Sequence, residues 1–277
     1  MVQRCAFATP VRMQRMHVLL TNDDGIESTG LRVLYDALDD IGEVTVVAPA
    51  DDQSAVGRTL SNRVTVEEHE LGYAVAGTPA DCVVVGVGSL CPDVDLVVSG
   101  CNQGANLGEY VLGRSGTVSA AVEATFFDVP AIAVSLYIPG GDIDFREYAA
   151  RESEYDEAVR ATTHLVDNAT GNGVFDHADY LNVNAPIPAR STGERAAMET
   201  THPSTVYEMD AVRDGSTITL SDHIWQRMDE GNVLDPEGTD RRAVVEGRVS
   251  VSPLTAPHTT EHHDTLDTVC AAYRDGE

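Results

Sequence analysis

The sequence predicts an α/β protein: a doubly wound, mostly parallel sheet with helices on both faces, followed by a C-terminal arm of β-hairpin and helix. Three observations carry this. Short apolar runs alternate with amphipathic helical stretches through the first half of the chain. Three of those runs end in loops rich in Asp, Asn, Ser and Gly. Past residue 190 the apolar runs shrink to short alternating segments among polar residues.

The elements follow in order. Residues 18–21 form a buried first strand that Gly25 terminates. Residues 30–38 place Leu31, Leu34, Tyr35 and Leu38 on one helical face. Residues 44–48 are a second strand, ended by Pro49, and 62–68 and 72–76 pair as a hairpin. A helix starts at Thr78-Pro79 and runs through Val85. Residues 94–99 are a strand, 100–113 a glycine-rich loop, 117–127 a helix and 131–136 a strand. Residues 148–166 read as helix and 180–184 as strand, stopped by Pro186 and Pro188. Segments 216–220 and 248–251 read as hairpin strands without a core of their own, and 258–273 as a terminal helix. The chain divides into a disordered extension over 1–15, a core over 16–190 and an arm over 191–277.

The 277 residues contain 42% hydrophobic side chains, enough for one large α/β domain with an appendage. No apolar run is long enough to span a membrane. Five scattered cysteines without a CxxC pair point to reduced thiols in a cytoplasmic protein. The net charge is −27, and all 18 basic residues are arginine. The absence of lysine excludes a Walker A lysine and Schiff-base or pyridoxal chemistry. The acidic field disfavours a nucleic-acid polymer as partner. An acidic, lysine-free surface suits a cytosol with molar salt, where self-repulsion is screened.

Asp23 and Asp24 stand at the carboxyl end of the first strand, where open α/β sheets bind ligands. Two close carboxylates repel and call for a proton or a hard cation. A turn followed by a helix N-cap explains the pair equally well. The next two strand-end loops carry Asp51, Asp52 and Ser54, and then Asn102, Gly104, Asn106 and Gly108. In a parallel sheet all three rise at one edge. Ser115-Gly116-Thr117 opens a helix, and its N–H groups and hydroxyls form either a plain N-cap or an anion cradle. Beside a carboxylate metal site the cradle is the better reading, and the pairing suits phosphoester hydrolysis. The HxxEH spacing of His258, Glu261 and His262 resembles a zinc protease only as a short motif without context. Trp225 reads as an interface anchor or a packing residue.

These residues carry a family resemblance. The chain resembles the SurE (survival protein E) family in LLTNDDG (19–25), VVAPADDQS (47–54 with its flank), GTPADC (77–82), VVSGCNQGANLG (97–108), SGTV (115–118) and PAIAVSL (130–136), with a late match at Gly238-Thr239-Asp240 and VSVSPL (249–254). The resemblance implies a Rossmann-like core and an arm exchanged between subunits of a homodimer or tetramer. It implies a metal-dependent 5′-nucleotidase acting on nucleoside 5′-monophosphates, with 3′-monophosphates and short polyphosphate as a wider range. One divalent cation per subunit, Mg²⁺ or Mn²⁺, would sit on Asp23, Asp24, Ser54 and Asn102. Asn22, Asn106, Ser115, Gly116 and Thr117 would surround the phosphate, and Asp23 with Asn22 would be catalytic. A non-catalytic nucleotide sensor on the same fold is the alternative. The sequence departs from the family at Ala55-Val56, in the linker 109–114 and at Arg114, all on the nucleoside side of the site.

Overall fold

The computed structural model describes residues 15–139, 148–188, 195–256 and 264–272. The expected extension over 1–15 and the HxxEH segment lie almost wholly outside these residues. The elements are β1 (His17–Thr21), α1 (Thr29–Asp39), β2 (Glu43–Pro49), β3 (Val66–His69), β4 (Gly72–Val75), α2 (Pro79–Val85), β5 (Leu96–Gln103), α3 (Glu109–Leu112), α4 (Gly116–Thr125), β6 (Ala131–Tyr137), α5 (Asp156–Ala169), β7 (Tyr180–Pro186), β8 (Met198–Thr200), β9 (Met209–Asp214), β10 (Thr217–Asp222), α6 (His223–Asp229), α7 (Asp240–Val245), β11 (Val249–Leu254) and α8 (Asp264–Ala272).

Among the described residues nine strands form one sheet in the order β3-β4-β2-β1-β5-β6-β7-β11-β8. The six strands from β4 to β7 run parallel. From β1 the chain winds outward through β2 and then returns to place β5 on the other side of β1. That reversal opens a crevice at the carboxyl ends of β1 and β5. Val18, Leu19 and Leu20 are fully buried on both faces of the sheet, as a central parallel strand requires. One face is covered by α1 and α5, through Leu31, Leu34, Leu38, Ala158 and Ala161. The other is covered by α2 and α4, through Cys82, Val83, Val118 and Ala121. Capping fixes the helix starts: Ser28 accepts from Leu31 N, and Thr78 and Asp81 form a reciprocal capping box.

The structure corrects the expected elements in four places. The expected hairpin forms, but its first strand begins at Val66 rather than at residue 62, and β4 also pairs in parallel with β2 and so extends the main sheet. Strand β5 runs on to Gln103 through a register shift between Ser99 and Asn102. Gly100 makes this bend at φ 140°, where a Cβ would overlap Val134 O. The helix expected over 148–166 begins only at Asp156, after a 3₁₀ turn over Glu152–Glu154, and ends at Ala169. Finally, 248–251 belongs to no hairpin: β11 lies antiparallel to β7 and parallel to β8 inside the main sheet. Its Ser250 and Ser252 mimic a solvent face, but Thr201 Oγ1 satisfies both hydroxyls in the interior, at 2.7 and 2.8 Å. Among the described residues only β9 and β10 stand apart, as an antiparallel hairpin with Val212, Ile218 and Leu220 exposed.

Candidate active site

The loop after β1 is built around Asn22. Its amide Nδ2 donates to Gly25 O (2.9 Å) and to the capping Ser28 Oγ (2.7 Å), which closes the turn between strand and helix. Asn22 is fully buried and does not line the cavity above the sheet; its Oδ1 has no hydrogen-bond partner.

Asp23 is 3% exposed. Its Oδ1 accepts from Thr117 Oγ1 at 2.6 Å, and the Thr117 backbone N–H also donates to the carboxylate. The N-terminus of α4, expected to cradle phosphate, therefore already seats the Asp23 carboxylate. Thr117 is fully buried and serves Asp23 directly. Gly116 permits this approach: a Cβ there would lie 2.7 Å from Asp23 Cβ and 2.8 Å from its Oδ2. Asp24 points to β5, where Gln103 N donates to its Oδ2 at 2.8 Å. Gln103 is in turn fixed by Tyr148 O and Ala150 N.

The electrostatics of the pair are unrelieved. Burial pushes Asp23 up to about 6 against a hydrogen-bonding pull from Thr117, and the Asp52 charge adds to the rise. Burial pushes Asp24 up to about 7, with the Asp23 charge next in weight. The charges acting on the two carboxylates are those of acidic neighbours, and no basic side chain compensates them.

This donor set fits a hard divalent cation. Among the described residues no three of His, Cys, Asp and Glu gather as ligands, so a cation here would need neutral oxygens beside the two carboxylates. Ser54 and Asn102 line the cavity together with Asp23. Ser54 Oγ donates its proton to Asp52 Oδ1 (2.6 Å), and Asn102 Nδ2 is taken by Gly104 O. Both residues are thereby left with oxygen acceptors. A buried Asp23 and a half-buried Asp24 raised by its charge, with the Ser54 and Asn102 oxygens on the same cavity wall as Asp23, are what a cation would satisfy.

Asn106 also lines the cavity and is braced from two strands and a helix. Its N donates to Asn184 Oδ1 (2.8 Å), and its O accepts from Asn182 Nδ2 (2.9 Å) and Asn184 Nδ2 (3.1 Å). Its Nδ2 donates to Ser135 Oγ (2.9 Å) and weakly to Thr117 Oγ1 (3.4 Å). Ser115 caps α4 by accepting from Val118 N (3.1 Å), and it lines the cavity. The far end of the loop is tied to α7: Asp240 Oδ2 accepts from Gly108 N at 2.7 Å, and Oδ1 from Ser204 N at 3.0 Å. Beside it the buried Arg241 pairs with Asp235 at 3.3 Å.

Sequence reasoning missed these braces. Asn182 and Asn184 did leave a signal, since two amides at alternate positions of a buried strand face one way and need a partner. Gln103, Ser135 and the Asp240–Gly108 bond left none that stands out locally.

The cavity itself encloses about 670 Å³, within the roughly 300–1,000 Å³ of small-molecule sites. Asp23, Ser54, Asn102, Asn106, Arg114 and Ser115 form its polar wall. The arm supplies another part of the lining, with Met209, Leu220, Asp222, Trp225 and Asp229, next to Tyr137 at the end of β6.

Comparison with known proteins shows a family and a fold. Residues 18–209 match the family model described as survival protein SurE. A curated relative, the 5′-nucleotidase SurE of Natronomonas pharaonis, is 65% identical over 94% of this chain and 100% of its own. The 5′-nucleotidase SurE of Geobacter sulfurreducens is 40% identical over 86% of this chain and 87% of its own. The crystal structure of the SurE protein from Aquifex aeolicus superposes with a TM-score of 0.71 at 30% identity, covering 94% of this chain and all of the other.

Proposed function

The chain belongs to the survival protein SurE family, and from that membership and the cavity's geometry we propose that it is a 5′-nucleotidase that hydrolyses nucleoside 5′-monophosphates to nucleoside and phosphate. The supporting observation is the meeting of Asp23, Ser54, Asn102, Asn106 and Ser115 on one cavity wall. Curated relatives at 60–65% identity carry the name of an enzyme, and no observation favours a binding-only sensor.

Asp23, Asp24, Ser54 and Asn102 would hold one divalent cation, Mg²⁺ or Mn²⁺. When bound, it supplies Lewis-acid charge opposite the phosphoryl oxygens. The protein's own groups do the rest. Ser115 accepts from Val118 N, so its hydroxyl proton is available to a phosphoryl oxygen. The weak 3.4 Å bond from Asn106 to Thr117 leaves that N–H able to turn toward the same anion. Arg114 adds the one positive side chain of the cavity wall. Thr117 fixes Asp23 Oδ1, which leaves Oδ2 to take a proton from the attacking water. Asn22 acts by holding the loop that carries both aspartates, rather than by touching substrate.

The exposed apolar residues of β9 and β10 support self-association through the arm, as a homodimer or tetramer. The net charge of −27 and the haloarchaeal relatives support work in molar salt. A cytoplasmic location fits the buried free Cys82, Cys91 and Cys101. Among the described residues no helix is long and apolar enough to cross a membrane.

Phosphate release from AMP and GMP in molar KCl with Mn²⁺ or Mg²⁺, against an EDTA blank, tests the activity. Asp23→Asn should lower kcat by at least about 10²–10³-fold while circular dichroism stays that of the folded chain. Undiminished turnover in that variant would remove Asp23 from the chemistry.

A further inference from the structure

The polar wall of the cavity accounts for a phosphate, but not for the arm residues that share the same space. Helix α6 is capped by Asp222, whose Oδ1 accepts from Ile224 N at 3.2 Å. Asp222, Trp225 and Asp229 follow at spacings of three and four, so they share one helical face, and all three line the cavity. Ile224 and Met228 are 3% exposed and pack with Leu107, Tyr137 and Val244, which anchors the helix on the core. Met209 and Leu220, on the two strands of the hairpin, line the same cavity as Trp225. Tyr137 lies near enough to Asp229 to feel its charge, which places that carboxylate at the end of β6.

We propose that this face of α6 is the nucleobase subsite: the base of the nucleotide stacks on Trp225 between Met209 and Leu220, and Asp222 and Asp229 accept hydrogen bonds from its N–H groups. This rests on the nucleotidase reading above and adds where the nucleoside goes. The chemistry selects a flat, neutral, donor-bearing group. A second phosphate would meet two carboxylates there, whereas an aromatic base meets an aromatic ring and hydrogen-bond acceptors. Stacking tolerates any base, and the carboxylates favour those with amino or imino donors, such as guanine.

Trp225 is the only tryptophan of the chain, so its fluorescence reports this site directly. Guanosine, which has no phosphate, should quench the emission of metal-free protein saturably in molar KCl, while inorganic phosphate should leave it unchanged. Trp225→Ala should raise KM for GMP about tenfold, the size of a lost stacking contact, with kcat held within about twofold, and Trp225→Phe should recover most of the loss. An unchanged KM in folded Trp225→Ala, or no response of the wild type to millimolar guanosine, would overturn the proposal. If guanosine quenches but no phosphate is released with Mn²⁺, the hydrolase reading fails and the base subsite stands.

Discussion

The two walls of the cavity are built by opposite means. The polar wall rests on strand ends inside the sheet, and its buried groups are held by others: Asp23 by Thr117, and Asn106 by Asn182, Asn184 and Ser135, while Gln103 holds the neighbouring Asp24. The arm wall rests on a hairpin in which every residue of β9 is exposed, and on one short helix. Charge must be placed to within a fraction of an ångström, so it is mounted on rigid, cross-braced elements. Recognition of a flat base tolerates more play and can be left to an appendage. Disturbing the first wall should therefore cost far more than disturbing the second.

Short of replacing Asp23 itself, the largest effect should come from Gly116→Ala. The new methyl would press on the Asp23 side chain, 2.7 Å from its Cβ and 2.8 Å from its Oδ2, and the bond from Thr117 braces that carboxylate against yielding. Overpacking of this kind costs about 1–3 kcal/mol, and we expect kcat to fall by roughly 10²-fold as Asp23 leaves its seat. A variant with normal kcat and normal melting temperature would show that the wall is softer than its bonds suggest.

Asn184→Ala should come next. It touches neither substrate nor cation, yet it removes the acceptor for Asn106 N and one donor to Asn106 O. Loss of such a supporting contact typically costs about 10–100-fold in activity or metal affinity. The stability cost should be about 1–3 kcal/mol for the buried groups left unpaired. Urea unfolding together with kcat measurement checks both.

A smaller effect should appear in the pH dependence of the metal-free protein. Asp23 and Asp24 are raised to about 6 and about 7 in the folded chain, above the value of about 3.9 for a free aspartate. Between these limits the folded state binds more protons than the unfolded one, so stability falls as pH rises from about 4 through about 7 and then levels off. Melting temperatures in EDTA and molar KCl should show that decline. If Asp23 and Asp24 hold the cation as proposed, Mn²⁺ should reverse it above pH 7, where the pair is ionised. Asp23→Asn should flatten the slope, leaving the shares of Asp24 and Asp240, which burial also raises. Equal slopes in the two proteins would refute the assignment.

The smallest effect on the fold should follow from Val212→Ser with Ile218→Ser on the hairpin. Both residues are more than half exposed, at 58% and 57%, so subunit stability should change by no more than about 0.5 kcal/mol. The same pair should shift sedimentation toward monomer if the arm joins subunits.

Much of the core and part of the site were legible in the amino-acid order because they are local. The apolar run Val18–Leu19–Leu20 could only be a buried strand. The DDG that follows had to bend at its end, and Ser115-Gly116 had to begin a helix. Those properties depend on periodicity, turn chemistry and the space a side chain needs, all set within a few residues. Other features depended on which distant segments met. Thr117 and Asp23 are 94 residues apart, and their bond seats a carboxylate at the helix start that the sequence offers as a phosphate cradle. Gly108 and Asp240 are 132 apart. Whether β11 is a surface hairpin or an inner strand was decided by the hydroxyl of Thr201, and whether Trp225 packs or faces a cavity by the docking of Ile224 and Met228. A side chain's chemistry is written in its own residue; its partner is chosen by packing, which no short stretch of sequence contains.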